Sequence, residues 1–228
     1  MDYYPARLQT AFFLAAIDIS SKFKIANMVR EKAGNLLEVD PLLLPLPADS
    51  PPEFPHIVIR NESNGWTFQM APARFDVIIE RGPQMPHADL RQLTSELSHT
   101  TLAIWQGMET LFKGRANRVG LIATVVAEVE DSRKVFQTRF LNTAYGSGAH
   151  ESQLHLLHKL DVEGFSVNRW ARLRALPAND NWPSRLTVEV DVNSIAEQPI
   201  EVTETVAQNF ISVATHLTEQ TLGDYLAG

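Results

Sequence analysis

The chain has 228 residues, 44% of them hydrophobic and 21% charged, and a formal net charge of −7 at pH 7. These proportions are typical of a globular protein, and the negative charge weighs against general binding to nucleic-acid backbones or anionic lipid. The absence of cysteine excludes disulfides, thiolate nucleophiles, zinc fingers and cysteine-bound iron–sulfur clusters.

The N-terminal residues predict a cytoplasmic protein. The apolar run at 11–17 is too short to span a bilayer and is followed by Asp18. The opening Met-Asp-Tyr-Tyr lacks the basic segment of a secretory signal. We therefore expect no signal peptide and no contact with a membrane.

Three segments open the chain. Residues 8–19 are apolar and aromatic and predict a central strand. In 22–37 apolar residues recur near helical spacing, which predicts a helix. Six prolines in 41–55 exclude a helix there and indicate an extended connector.

A three-stranded antiparallel meander is predicted next. Two β-rich runs, 56–60 and 66–70, flank the turn dipeptide Asn64-Gly65, which favours a hairpin. Residues 74–80 supply the third strand.

A long helix and a long strand follow the meander. In 89–112 the apolar positions fall on one helical stripe that includes Leu97 and Leu111 and is widened by Trp105, with Asp89 as the N-cap. Residues 118–130 are rich in β-branched side chains and predict a central strand.

The second half of the chain is less regular. Residues 134–141 fit a short strand or a helix, and 153–176 is β-rich with a bend or bulge at Gly164. Strict alternation in 185–192 predicts one buried face, and apolar residues between 206 and 217 predict a terminal helix that packs on this strand. The buried face comprises Leu186, Val188, Val190 and Val192.

These elements predict an α+β fold with two lobes, each an antiparallel sheet packed with a long helix. The lobes comprise residues 1–141 and 142–228, with the boundary in the loop at 142–150, and a single continuous domain is the alternative.

The order of the landmarks resembles a sporadically distributed family of uncharacterised bacterial proteins. The resemblance covers residues 8–225, from "HIVIRNESNGWTFQMAPARFDVII" through the long helix and "NRVGLIATVV" to the acidic strand and last helix. Members carry an Arg-Ile-Gly-Leu-Arg-Tyr-Ile-Asn type strand after the long helix. Arg118, Gly120 and Leu121 match it, whereas Ile122-Ala-Thr-Val125 replaces its polar end. The resemblance implies an α+β fold and bacterial origin, and supplies no catalytic residue.

Three histidines lie close together in the segment "GAHESQLHLLH". On a helix, His155 and His158 would share one face and bind one metal ion. In a strand, His155 and His158 point to opposite faces and do not share an ion, although His150 would still approach one of them across the glycine-rich turn. No Glu-bearing zinc-binding helix motif accompanies them, so the favoured interpretation is a strand that carries imidazoles.

The segment 168–174 combines an aromatic residue with arginines. Trp170 would stack a base while Arg169, Arg172 and Arg174 neutralise phosphates. The alternative, favoured by the net charge of −7, is a solvated strand face.

Acidic pairs and glycine loops give weaker leads. Glu189 and Asp191 share one strand face, where they would serve as acid and base, bind a hard cation, or simply meet water. Ser147 lacks the flanking glycines of a nucleophile elbow, and no nucleotide-binding, kinase or calcium-loop motif is present.

The sequence therefore predicts a binding or assembly component without a cofactor, and leans away from an enzyme. We expect a protein partner or a homo-oligomer, contacted through an exposed apolar patch. Candidate positions for the patch are Trp66, Phe68, Leu42–Leu44 and Trp182. A metal-dependent hydrolase built on the three histidines is the competing hypothesis, and a nucleic-acid-associated module is a weaker one.

Overall fold

The computed structural model describes residues 1–45, 47, 50–81, 89–141 and 152–226. These residues form nine strands, four α-helices and one 3-10 helix. In chain order they are β1 (Tyr4–Ala16), α1 (Lys22–Ala33), the 3-10 helix (Gly34–Leu37), β2 (Leu42–Leu43), β3 (Ile57–Asn61), β4 (Trp66–Ala71), β5 (Arg74–Glu80), α2 (Leu90–Phe112), β6 (Arg115–Glu128), α3 (Ser132–Phe140), β7 (Ser152–Val162), β8 (Phe165–Leu176), β9 (Arg185–Ser194) and α4 (Glu204–Leu226).

All nine strands belong to one antiparallel sheet with the order β2-β3-β4-β5-β1-β6-β9-β8-β7. The α+β class is confirmed. The sheet is continuous through both halves of the chain, because β6 pairs with β1 on one side and with β9 on the other. The boundary predicted in the loop at 142–150 lies outside the described residues.

The two halves repeat one order of elements. Leaving aside the 3-10 helix and the two-residue β2, the described elements of each half, β1 to α2 and β6 to α4, run strand, helix, three strands, helix, and α2 and α4 each have 23 residues. The strand order is mirrored about the central pair of β1 and β6. The repeat therefore relates β4 and β5 to β8 and β9.

The helices pack on one face of the sheet. Thr10 of β1 is within 2.7 Å of the Thr101 hydroxyl of α2, and Phe12 lies 5.2 Å from the Trp105 ring. Alternate residues point to opposite faces of a strand, so Gln9 and Ala11 lie on the other side. We name that side the open face. It also carries these residues in register with them: Arg7, Phe13, Gln69, Arg74, Asp76, Arg118, Gly120, Ile122, Trp170, Arg172, Arg174, Glu189, Asp191 and Asn193.

The alternation predicted in β9 is confirmed, since all four predicted residues are buried beneath the helices. The stripe of α2 is also buried, except that Leu111 near the helix end is 61% exposed. Within the described residues, no helix combines the length and apolarity needed to cross a bilayer.

Two positions of the predicted apolar patch were wrong. Trp66 and Phe68 are 3% and 0% exposed, because both lie on the helix-facing side of β4 and belong to the main core. Leu42 and Trp182 are exposed, as expected.

The second half contains two further findings. The run 153–176 is a hairpin of β7 and β8, and Gly164 lies in its two-residue turn instead of at a bend or bulge. The segment left open as strand or helix is α3, which begins where the Asp131 carboxylate accepts hydrogen bonds from the backbone N–H groups of Arg133 and Lys134.

Candidate functional site on the open face

The structure does not bring the described histidines together. His155 and His158 occupy β7 and point to opposite faces of the sheet, His155 towards the open face and His158 towards the helices. His150 lies outside the described residues. Within the residues that are described, no group of three His, Asp or Glu side chains could hold a metal ion.

The basic and aromatic segment of β8 is split between the two faces. Trp170, Arg172 and Arg174 lie on the open face, whereas Arg169 lies on the helix side. Arg172 forms ion pairs with Glu189 and, at 3.5 Å, with Asp191, and its guanidinium is 5.4 Å from the Trp170 ring. Its charge is therefore already neutralised within the protein.

A buried polar network occupies the first half of the open face. The Asp76 carboxylate accepts hydrogen bonds from Gln9 at 2.8 Å, Gln69 at 3.1 Å and Arg74 at 2.7 Å. Arg7 donates to the Gln9 side chain at 2.7 Å. Gln9 and Asp76 are each only 4% exposed. Each donor fills an acceptor site, so the side chains are held in fixed positions.

A related network occupies the second half. Asp191 is 9% exposed, accepts a hydrogen bond from Asn193 and faces Arg172. Burial raises the pKa of the Asp191 carboxyl, while Arg172 and the Asn193 hydrogen bond oppose that shift. In both networks a carboxylate contacts the side chain directly opposite it on the neighbouring strand, Asp76 facing Gln69 and Glu189 facing Arg172.

Small residues separate the two networks. Ala11 and Gly120 lie directly opposite each other in the central strand pair. A Cβ atom on Gly120 would lie 2.1 Å from the Asn193 side-chain oxygen. Glycine is therefore required for the close approach of Asn193, which in turn binds Asp191.

An aromatic ring lies between two arginines next to Ala11 and Gly120 on the open face. Phe13 faces Arg74 on β5 and Arg118 on β6, and the two guanidinium carbons lie 5.1 and 4.2 Å from the ring centroid. Arg118 donates to the Ser194 carbonyl at 3.2 Å. Among the described residues, Arg118 has no carboxylate within ion-pair distance. It therefore offers a cationic group that is positioned but not neutralised.

The sequence identified only part of this site. It named Glu189 and Asp191 as a pair on one face, and it named Arg118 and Gly120 as matches to a family motif. It missed Gln9 and Asp76. The available signal was that each is a polar residue inside an otherwise apolar strand, Gln9 in β1 and Asp76 in β5.

A second concave region lies between α2 and α4. This cavity, of about 550 Å³, is lined by Ser98, His99, Ser212 and His216 among others. At one end the Arg91 guanidinium makes a two-point contact with the Glu219 carboxylate, which ties the helices together and lowers the Glu219 pKa.

No family model, curated protein or solved structure matches the chain. The resemblance noted from the sequence therefore remains a prediction that rests on the order of landmarks and on Arg118, Gly120 and Leu121.

Proposed function

We propose that the protein is a non-enzymatic binding or assembly component of the cytoplasm, and that its open face binds a protein partner. The observation that carries this proposal is the buried hydrogen-bonded network of Gln9 and Asp76 on a sheet face that no described helix covers. An antiparallel sheet needs only one packed face, so polar residues on its other face normally meet water.

Fixed polar and aromatic groups favour recognition by another protein. Phe13 and Trp170 are each stacked with arginine, and aromatic residues and arginine are the types enriched in protein interfaces. Groups that are already ordered lose little conformational entropy on binding. The face extends across both predicted lobes, 1–141 and 142–228, so a partner would contact both.

The charges favour a protein over a nucleic acid. Asp76, Glu189 and Asp191 share the face with the arginines and would repel a phosphate backbone, and Arg172 is already paired. A protein surface supplies both charge signs and hydrogen-bond donors to match this mixed face.

The test compares two double variants purified from the cells in which the protein is naturally made. Phe13→Ala with Arg118→Ala removes the unneutralised arginine and its aromatic support. Phe23→Ala with Lys32→Ala is the matched control, because both residues are exposed on α1, on the helix side. Quantitative mass spectrometry measures the proteins that copurify with each.

We expect a partner retained by the wild type and by the α1 control, and reduced at least tenfold with the open-face variant. Equal recovery with both variants, or recovery that falls only with the α1 control, would contradict the proposal. If RNA or DNA, and no partner protein, copurified with the wild type, the result would support the nucleic-acid hypothesis instead.

A further inference from the structure

The two edges of the sheet differ in how well they are protected. At one edge, β2 has only two residues and is flanked by Pro41 and Pro45. At the other edge, β7 has eleven residues, contains no proline and pairs with β8 without a register shift. Short strands and prolines are the usual means of blocking edge-to-edge association. Only the β7 edge is open to strand addition among the strands that the structure describes.

The β7–β8 turn identifies the backbone groups that point outward. Glu163 and Gly164 both have positive φ, 48° and 84°, as in a two-residue type I′ turn. In such a hairpin the closing pair, Val162 and Phe165, exchanges both backbone hydrogen bonds, and every second pair does so thereafter. The outward N–H and C=O groups therefore belong to Gln153, His155, Leu157, Lys159 and Asp161.

The side chains of β7 are complementary to a second, antiparallel β7. When the two strands are centred on His158, His155 faces Asp161 of the second copy, and Leu157 faces the aliphatic stem of its Lys159. On the helix side, Leu156 faces Leu160 and Leu154 faces Val162. These four apolar residues are only half-buried in the single chain. The register thus pairs an imidazole with a carboxylate, which can hydrogen-bond, and extends the apolar row across the edge.

Other registers of the two β7 strands pair their side chains less favourably. One strand can shift along the other only in steps of two residues, because a shift of one residue would move each side chain to the wrong face of the sheet. Centring on Leu157 places His155 opposite Lys159 and leaves Leu156 opposite His158. Centring on Lys159 places two lysines together and Leu157 opposite Asp161.

We propose that two copies of this chain associate through β7, in an antiparallel pair centred on His158, to form one continuous eighteen-stranded sheet. This inference goes beyond the proposed function because it concerns the edge of the sheet and not the open face. Substitution of Arg118, which impairs the open face, leaves this dimer intact.

The natural absence of cysteine allows a register-specific cross-linking test. In the proposed dimer the two copies of residue 158 form a non-hydrogen-bonded pair with Cα atoms about 4.5 Å apart, which a disulfide can bridge. The two copies of residue 155 are separated by six strand positions, about 20 Å. Under mild oxidation, His158→Cys should form a covalent dimer and His155→Cys should remain a monomer.

Light scattering supplies the second measurement. The wild type should have twice the chain mass of 25.5 kDa. Leu157→Pro removes an outward N–H but no bond to β8, so it should yield a folded monomer. In case proline unfolds the hairpin, His155→Asp places two carboxylates opposite each other and should weaken the dimer at least tenfold. Adding Asp161→Lys to the same chain should restore it.

A wild type that stays monomeric at high concentration would overturn the proposal. So would cross-linking of His155→Cys without His158→Cys, or a dimer that withstands both Leu157→Pro and His155→Asp. An open-face variant that loses its partner yet stays dimeric would separate this proposal from the proposed function.

Discussion

Asp191 is a carboxylate buried on a sheet face that faces away from every described helix. Its neighbours only partly compensate for burial, because Arg172 and Asn193 lower the pKa while burial and Glu189 raise it, with a net upward shift. Buried ionisable groups with raised pKa are common at binding and catalytic sites. The charged form of Asp191 therefore lowers the free energy of unfolding relative to its protonated form.

Asp191→Asn should be more stable than the wild type at neutral pH, and this advantage should disappear in acid as the Asp191 carboxyl becomes protonated. The carboxyl pKa is higher in the folded than in the unfolded chain, so the folded state binds more protons between the two values. Wild-type stability attributable to this group therefore falls as pH rises from the unfolded pKa, about 3.9, through the folded pKa. Asparagine does not titrate and still accepts the hydrogen bond from Asn193.

Urea unfolding of both proteins across pH 3 to 7 measures this difference. A variant less stable than the wild type at pH 7 would show that the ion pair with Arg172 outweighs the cost of burial.

Gly120→Ala should destabilise the fold by about 1–2 kcal/mol, because the new methyl group displaces the Asn193 amide and breaks its hydrogen bond to Asp191. In the background of Asn193→Ala the same substitution should cost much less, since the obstructing atom is gone. Chemical denaturation of the single and double variants measures the coupling. Strictly additive effects would mean that the clash is relieved elsewhere.

At the scale of residues, alternation in the sequence identified which side chains share a face. It correctly assigned Val188 and Val190 to the core and Asp191 to the opposite side. It could not show that Asp191 is itself buried, because coverage on the open face comes from long side chains on strands that are distant in sequence, such as Arg172.

Among the elements, the β7–β8 hairpin contains a local conflict between residue and conformation. Glu163 adopts φ of 48°, a left-handed conformation that costs free energy in residues other than glycine, asparagine and aspartate. The following residue is Gly164, which tolerates its φ of 84°.

Glu163→Asn should stabilise the protein by up to about 1 kcal/mol, because Asn-Gly is the preferred type I′ pair. Thermal unfolding of the variant measures the gain, and Glu163→Ala serves as the control that removes the same charge without favouring positive φ. An equal gain in the alanine variant would attribute the effect to charge instead of backbone conformation.

Elements with several agreeing local signals were predicted most accurately. For α2 the cap at Asp89 and the apolar stripe over 89–112 placed both ends correctly. The β7–β8 boundary was missed because a two-residue turn needs only Gly164 as a signal, and the apolar runs on both sides continue the same pattern.

The whole molecule is built around the contact between β1 and β6. Each half supplies one of these strands, and β6 also forms nine cross-strand pairs with β9. Residues on both sides of the predicted boundary at 141 and 142 therefore contribute to one core.

We expect a single cooperative unfolding transition. Calorimetry should give equal calorimetric and van't Hoff enthalpies for the full chain, as for a two-state domain. Two resolved transitions would instead support independent lobes at 1–141 and 142–228.

The continuous sheet could not be predicted from the sequence, because strand order depends on contacts between segments about a hundred residues apart. The similar composition of the two halves indicated two sheets with helices. The same pattern also fits one sheet with a mirrored strand order, and the pairing of β6 with β9, which joins residues of the two predicted lobes, distinguishes the two arrangements.

Site-specific photo-cross-linking in living cells tests the role of the open face most directly. A benzophenone side chain replaces Trp170 on the open face in one protein and Leu111 on the helix side in another. We predict a covalent adduct with a partner protein from position 170 and none from position 111. Adducts from position 111 alone, equal adducts from both positions, or none from either would contradict the assignment of the open face as the binding surface.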